Sequence, residues 1–409
     1  MAAKKTSASK KAAGAKAGGN GNGNGNGDDG GVRAAQAPLV EELYAEELAL
    51  LGATDSGPRP PGWRLSARAV VTFICGSDGE VLRTKGHEAR AISKKFVGER
   101  ALVERCVVTL VGERGLLLVG EPGTAKSMLS ELLAAAVSAS SASTVQGTAG
   151  TTEEHLRYGW NYALLIAKGP HPEALVPSPV LGAMRAGAIA RVEEVTRCLP
   201  EVQDALVSIL SDRRLAIPEL AGDNVVFAAP GFNIIATANL RDRGVSEMSA
   251  ALKRRFNFET VEPIAELDQE MALVRRQASA ALARVGEELA VDDAVLEALV
   301  TAFRDLRSGR SVEGWAVERP GTVMSTAEAV SVATSLGVQA RFLPSERDVL
   351  SSVPGYLLGV VQKDDPKDRA RLLAYWDGAV KRRAEGGARL WKQLHELRGV
   401  LESAGPAGE

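Results

Sequence analysis

The sequence predicts an α/β fold in which helices flank a parallel sheet and an α-helical part follows. The apolar run at 116–119 and the segment FNIIATAN at 232–239 have the continuous hydrophobicity of strands buried on both faces. The stretch after the first run has helical periodicity, which is the alternation expected of a parallel sheet. After Pro263 the apolar residues recur at helical spacing, which predicts helices for the remainder.

Composition limits the classes of protein that this chain can be. Its 409 residues suffice for two or three domains, and a net charge of -2 argues against a strongly basic nucleic-acid binder. Cys75, Cys106 and Cys198 are far apart and, like the four histidines, show no metal-ligand spacing, which disfavours a zinc hydrolase. No apolar run approaches the roughly 20 residues of a membrane helix. We therefore expect a soluble cytoplasmic protein with reduced cysteines.

The N-terminal region divides into two parts. Residues 1–37 are rich in Lys, Ala, Gly and Asn, and we predict a disordered tail because they cannot bury enough apolar surface to offset ordering. The tail either keeps the protein soluble or touches an acidic partner or nucleic acid. Residues 38–94 predict a helix that Gly52 can end, then a linker at 56–63 and an extension of unassigned fold.

A glycine-rich loop gives the most specific signal. The run LLLV at 116–119 is followed directly by GEPGTAKS and then by a helical stretch, the strand–loop–helix context of a phosphate-binding loop. We expect Lys126 to reach the β- and γ-phosphates and Ser127 to bind Mg²⁺. Ala125 stands where this motif usually has glycine, which is tolerable if the residue has helical dihedrals. The predicted nucleotide-binding residues are Gly120, Glu121, Pro122, Gly123, Thr124, Ala125, Lys126 and Ser127.

Two adjacent acids follow a second predicted strand. The segment 188–210 reads as a strand, the pair Glu193 and Glu194, a turn and a helix that begins near Pro200. Glu193 could hold Mg²⁺ through water, and Glu194 could polarise the attacking water. The first acid of such a pair is usually Asp after a wholly apolar strand, whereas here it is Glu and Arg191 interrupts the strand. Hydrolysis is therefore expected to be slow.

Two further polar features follow along the chain. Asn239 ends the strand FNIIATAN, where a side-chain amide can orient water beside the phosphates. The helix-forming segment 248–256 then presents Arg254 and Arg255. These arginines are either a basic helix end or an arginine finger that enters a neighbouring subunit's nucleotide site.

In this order, GEPGTAKS, VEEVTR, ATAN and ALKRRF resemble the motifs of AAA+ ATPases, and among these the MoxR group and its dynein-related relatives. The resemblance covers about residues 95–345. It implies that the loop binds ATP and Mg²⁺, that Glu193 and Glu194 form the acidic pair, and that Asn239 is the first sensor. It also implies an arginine finger at Arg255 or Arg254 and a ring of subunits, most often a hexamer.

The resemblance also divides the rest of the chain. Residues 151–187 and 215–229 resemble the inserts of this family, and we expect Tyr158, Trp160 and Tyr162 to be exposed on the first, as a partner-facing or ordinary surface loop. The predicted domains are a nucleotide-binding domain at 95–263, a helical lid at 264–363 and C-terminal helices at 364–409. A lid of this type often supplies a second sensor arginine, for which Arg319 is the nearest candidate.

These features together predict a Mg²⁺-dependent, ATP-hydrolysing protein of MoxR type that remodels or matures a partner protein. The resemblance implies a von Willebrand A-domain protein as that partner. One alternative is a nucleotide-gated scaffold with negligible hydrolysis, which Glu193 and Arg191 motivate. Another is a nucleic-acid-associated NTPase of the dynein-related group, which the net charge of -2 disfavours.

Overall fold

The computed structural model describes residues 38–222, 224–239, 246–344, 348–363, 365 and 367–403. The predicted tail at 1–37 lies outside the described residues. So do Asp364 and Pro366, where we predicted the first C-terminal helix to start.

One sheet consists of five strands: β1 (Gly115–Val119), β2 (Thr144–Gln146), β3 (Ile189–Glu193), β4 (Asn233–Ala238) and β5 (Phe256–Thr260). Their order across the sheet is β5-β1-β4-β3-β2. Every pairing between neighbouring strands is parallel. All residues of β1, β3 and β4 are buried, because helices cover both faces of the sheet. The predicted parallel α/β fold is thereby confirmed.

The strand register brings three carboxyl ends together. Ala238 of β4 pairs with Val119 of β1, and Ala236 pairs with Val192 of β3. The residues that follow these strands therefore meet at one edge of the sheet, where open α/β sheets bind their ligands. Strand β5 begins at the opposite edge of the sheet, because its first residue, Phe256, pairs with Gly115, the first residue of β1.

Helices on both sides of the sheet include the N-terminal segment. Leu50, Phe73 and Ile74 are fully buried and share one apolar core with β1 and with the helix after the phosphate-binding loop. The first predicted helix breaks at Tyr44 and does not end at Gly52, since burial of its apolar face outweighs the roughly 1 kcal/mol helix penalty of glycine. The helices are Val40–Leu43, Ala45–Thr54, Ala67–Cys75, Arg100–Val111, Lys126–Ser138, Pro179–Ala186, Pro200–Asp212 and Ala250–Lys253, and a short hairpin joins Val81–Leu82 to Arg90–Ala91.

The segment 248–256 is helical only over Ala250–Lys253, although we predicted a helix for its whole length. Phe256 is instead buried as the first residue of β5, and the backbone N–H of Gly115 donates to the carbonyl oxygen of Arg255 at 3.0 Å. Pairing with β1 therefore ends the helix before the two arginines.

Each predicted insert forms a β-hairpin, and the two hairpins contact each other. Tyr158–Trp160 pairs with Leu175–Pro177 around the helix Tyr162–Lys168, and Arg214–Ala216 pairs with Val225–Phe227. The Tyr158 hydroxyl donates to a Glu219 carboxylate oxygen at 2.8 Å across the two inserts. Tyr162 is exposed as predicted, whereas Tyr158 and Trp160 are half-buried because of this contact.

A second apolar core holds the lid and the C-terminal helices together. Phe303, Leu336 and Trp376 are buried in this core, which runs from the first lid helix to Leu401. The spacing of Ser325 and Glu328 in the sequence predicts a capping box. It is present, since Ser325 accepts from the backbone N–H of Glu328 and the Glu328 carboxylate accepts from that of Ser325. The helix Val353–Val361 was not predicted. The helices are Leu267–Ala283, Asp293–Ser308, Thr326–Phe342, Val353–Val361, Lys367–Tyr375, Lys381–Glu385, Arg389–Glu396 and Arg398–Ser403, with a π-helical turn at Trp376–Val380.

Candidate nucleotide site

The phosphate-binding loop, residues 120–127, joins β1 to the helix Lys126–Ser138. Gly123 has a φ of +76°, and a Cβ there would lie 2.3 Å from the Cβ of Ser325. Glycine is required at this position because the loop has a left-handed conformation where it touches Ser325, the N-cap residue of a lid helix. The loop is therefore in contact with the lid.

Ala125 adopts the left-handed conformation, with φ 66° and ψ 25°. Helical dihedrals, the condition under which we considered a methyl group tolerable here, are therefore not found. Ala125 is the N-cap residue, at which the loop ends and the helix begins. A residue with a Cβ holds this conformation at a cost of roughly 1–2 kcal/mol, which glycine avoids.

Lys126 and Ser127 begin the helix. The Lys126 ammonium group donates to the carbonyl oxygens of Gly120 and Glu121, at 3.0 and 2.7 Å, so it lies over the loop. The Ser127 hydroxyl donates to Oε2 of Glu193 at 2.7 Å. The phosphate-binding loop and the first predicted acid are thus directly joined.

Glu193 is buried within a set of hydrogen-bond donors. Its Oε1 accepts from Ser130 at 2.6 Å and its Oε2 from Thr237 at 2.8 Å, in addition to Ser127. Arg191 donates to Oε1 at 2.8 Å. Burial by itself raises the pKa of Glu193, but the hydrogen bonds from Ser130 and Ser127 and the charge of Arg191 outweigh it and hold the pKa below its usual value. Glu193 is therefore an anion at neutral pH.

Glu194 differs from its neighbour in both conformation and exposure. It has φ 52° and ψ 46°, a left-handed conformation that is uncommon for a residue other than glycine. Its backbone N–H donates to Thr237 Oγ1 at 2.9 Å, and its carboxylate, 34% exposed, pairs with Arg197. The two acids therefore stand in different environments, one buried against the helix and one partly open to solvent.

Gly147 is a site residue that the sequence analysis missed. Its backbone N–H donates to the carbonyl oxygen of Glu193 at 2.7 Å, and a Cβ on it would lie 2.4 Å from the carbonyl oxygen of Glu194. Only glycine fits here without displacing the acidic pair. The one sequence signal was a glycine directly after a short β-run, which is too common to be assigned a role.

Asn239 and the two arginines lie at opposite ends of the sheet. Asn239 is buried and follows Ala238, so it is level with Gly120, the first residue of the loop. Arg255 directly precedes Phe256, which pairs with Gly115 at the start of β1. It donates to the Ser211 hydroxyl and the Ala251 carbonyl, whereas Arg254 is exposed. About five residues of strand, roughly 16 Å, separate these arginines from their own loop. They are too far away to act on a nucleotide bound to the same subunit.

The lid places further arginines beside the loop. Glu270 is fully buried and pairs with Arg304 at 3.0 Å and Arg307 at 2.8 Å. Arg307 and Arg319 line a cleft of about 540 Å³ together with Glu121 of the loop. Sequence analysis named Arg319 but missed the Glu270 ion pairs, because their partners are more than 30 residues apart and no short motif connects them.

The donor set at Ser127 and Glu193 fits Mg²⁺ better than a metal held by protein ligands alone. In the described ranges, no group of three or more His, Cys, Asp or Glu side chains could hold a metal ion. A hydroxyl and an anionic carboxylate, both oxygen donors, are instead what Mg²⁺ uses when phosphates complete its coordination.

The three cysteines are not paired with one another. In the part of the chain that the structure describes, no helix is both long and apolar enough to cross a membrane.

Comparison with known proteins places the chain in a class and then in a family. The AAA domain of the dynein-related subfamily matches residues 115–256, so the sheet and its loop form an AAA+ nucleotide-binding domain. The YehL-like AAA+ ATPase C-terminal domain matches residues 268–402. YehL of Escherichia coli (strain K12) is 49% identical over 364 residues, which cover 89% of this chain and 97% of YehL. The chain therefore belongs to the YehL-like AAA+ ATPase family.

More distant relatives add no assignment of function. The protein SH1500 of Staphylococcus haemolyticus (strain JCSC1435) is 27% identical over 59% of this chain and 83% of that protein. A solved structure of NtrX from Brucella abortus in complex with ATP matches with a TM-score of 0.44 and 15% identity, over 75% of this chain and 70% of NtrX. A likeness this low carries no conclusion about the present site.

Proposed function

We propose that this protein is a Mg²⁺-dependent ATPase whose turnover remodels or matures a partner protein, as the MoxR likeness implies. The observation that carries the proposal is the direct link from the phosphate-binding loop to the acidic pair. Ser127 and Thr237 both donate to one oxygen of Glu193, and Glu194 follows at the same edge of the sheet. A hydroxyl, a buried anion and a second carboxylate are the groups that phosphoryl transfer to water requires at such a loop.

Each side chain has a separate part in this proposal. The ammonium group of Lys126 would move from the loop carbonyls to the β- and γ-phosphates, whose charge it offsets. Ser127 and Glu193 would hold Mg²⁺, which when bound supplies charge stabilisation to the phosphates. Glu194 would accept the proton of the attacking water, and Asn239 would orient that water. Glu194 must first separate from Arg197, with which it pairs in this structure.

The active site would be completed by a neighbouring subunit. Arg254 and Arg255 lie at the end of the sheet opposite the loop, so a finger from this segment can act only on another subunit's nucleotide. Such a head-to-tail contact closes as a ring or continues as a helix. We propose a ring, a hexamer by the MoxR likeness, in which bound ATP favours assembly.

The partner surface we favour is the first insert. Tyr162 and Ile166 are 65% and 87% exposed on the helix at the tip of its hairpin. Apolar side chains this exposed are suited to contact with a protein partner in the cytoplasm. A von Willebrand A-domain protein remains the proposed partner on the strength of the MoxR likeness alone.

The test is ATP turnover and ATP binding measured on the same preparations. Lys126→Ala should weaken binding of ATP·Mg²⁺, because the phosphates lose their main cation. Glu194→Gln should keep binding and lower turnover by on the order of 10²–10⁴-fold, because an amide cannot accept the proton. ATP affinity that is unchanged in Lys126→Ala would refute the phosphate-binding assignment.

The pairing of Glu194 with Arg197 favours a second candidate, a nucleotide-gated scaffold. In that case the wild-type protein binds ATP with the dependence on Lys126 just described, yet it shows no turnover above that of Glu194→Gln. Titration with DNA at several salt concentrations tests the nucleic-acid alternative, since phosphate contacts make affinity fall steeply with salt.

A further inference from the structure

Arg191 is a buried cation directly behind the proposed metal site. Its side chain is 5% exposed, although it lies in the middle of a central strand. It points to the same face of β3 as Glu193, two residues on, and contacts the helix after the phosphate-binding loop. The sequence analysis took this arginine as an interruption of the strand, but the structure gives it a defined set of partners.

Every nitrogen of the Arg191 guanidinium group has a partner. Nε donates to Ser130 Oγ at 2.9 Å, and Nη1 donates to the Ser141 carbonyl and the Thr144 hydroxyl at 3.1 and 3.0 Å. Nη2 donates to Glu193 Oε1 at 2.8 Å and to the partly exposed Glu131 at 3.2 Å. A planar group fixed at this many points cannot turn away from Glu193 without breaking several hydrogen bonds.

These contacts divide the two oxygens of Glu193 between two tasks. Oε1 is held by Arg191 and Ser130. Oε2 accepts from Ser127, the loop residue that would share the metal, and from Thr237. Arg191 therefore fixes the orientation of the carboxylate and so the direction in which Oε2 faces Ser127, and its positive charge offsets that of the carboxylate.

We propose that Arg191 is a positioning residue that aims Glu193 at the metal and, by neutralising it, weakens its hold on Mg²⁺. The two departures noted in the sequence, Glu at 193 and Arg at 191, then act as one unit. A metal ion gains less electrostatic energy from binding to a neutral ion pair than from binding to a carboxylate that has no cation beside it. This inference rests on the proposed ATPase function, because it concerns the metal that accompanies the nucleotide.

The experiment measures how many-fold Mg²⁺ tightens the binding of a fluorescent, non-hydrolysable ATP analogue, compared with binding in EDTA. We call this ratio of affinities the Mg²⁺ factor. Arg191→Gln keeps a hydrogen-bonding side chain and removes the charge, so the Mg²⁺ factor should rise by about tenfold. Arg191→Lys keeps the charge and should stay within about threefold of the wild type. Mg²⁺ with the analogue should also raise the unfolding temperature more in Arg191→Gln than in the wild type, because the ion replaces the missing cation.

A purely structural role for Arg191 predicts a different pattern. In that case Arg191→Gln would lower the unfolding temperature equally with and without Mg²⁺ and would leave the Mg²⁺ factor unchanged. This result would overturn the proposal. An equal rise in Arg191→Lys and Arg191→Gln would also overturn it, since charge would then not be the cause. If Arg191→Gln does not fold, Glu131→Gln is the second test. It removes the charge of the second carboxylate that Arg191 contacts, so more of the positive charge acts on Glu193. The factor should then fall by about twofold or more, whereas no change would count against the proposal.

The two proposals fail in different ways. If the wild-type protein does not bind the analogue, or binds it equally well in Lys126→Ala, the ATPase proposal fails first. If binding depends on Lys126 but the Mg²⁺ factor is the same in Arg191→Gln as in the wild type, only the present inference fails.

Discussion

Replacing Ala125 by glycine should stabilise the protein. Ala125 is left-handed at φ 66° and ψ 25°, which costs a residue with a Cβ roughly 1–2 kcal/mol. Glycine removes that cost but adds about 0.5–1 kcal/mol of chain entropy to the unfolded state. The expected gain in the free energy of unfolding is the difference, about 0.5–1 kcal/mol. The left-handed turn itself is kept, so ATP affinity should stay within about twofold of the wild type.

The same helix supplies two controls. Ala139 ends it with φ 57° and ψ 20°, so Ala139→Gly should stabilise by a similar amount at a distance from the nucleotide. Ala134 is buried in the helix interior, where glycine should instead destabilise by about 1 kcal/mol or more. Equilibrium unfolding in urea, followed by circular dichroism, gives all three values. Destabilisation by Ala125→Gly together with stabilisation by Ala139→Gly would refute the reasoning, since the Ala125 methyl would then contribute more by packing than its conformation costs.

Three other experiments test the remaining geometry. Gly147→Ala places a methyl group against the acidic pair, so it should lower turnover and reduce the free energy of unfolding by about 1–3 kcal/mol. Turnover equal to that of the wild type would show that the backbone at Gly147 shifts without displacing the acidic pair. Glu270→Gln leaves two lid arginines without a full partner and should destabilise by about 2–4 kcal/mol in urea unfolding, more than an exposed Glu→Gln control. A mixture of the Lys126→Ala and Arg255→Ala proteins should regain part of the turnover that each lacks alone. If turnover returns only when Arg254→Ala replaces Arg255→Ala in the mixture, Arg254 is the finger. Full activity of a strictly monomeric protein would exclude a finger that acts between subunits.

Local sequence patterns were sufficient wherever one segment contains the whole signal. The run LLLV followed by GEPGTAKS predicts a buried strand, a turn and a helix within about 20 residues, and the structure has them at Gly115–Val119 and Lys126–Ser138. The capping box at Ser325 is equally local. Such features depend on hydrogen bonds and side-chain periods between near neighbours, which a sequence displays directly.

Interactions between distant segments could not be predicted in this way. Ser127 and Thr237 meet at Glu193, and Gly147 fits beneath the acidic pair, only because parallel pairing aligns strands that are far apart in the chain. The dihedral angles of Ala125 and the partners of Arg191 follow from the same packing. The chemical groups of this AAA+ protein and the short elements that present them can be read from the chain alone. The burial of an arginine in a central strand, and its pairing with the carboxylate proposed to bind the metal, follow only from the folded structure. Strand register and burial depend on contacts between distant segments that no local pattern records.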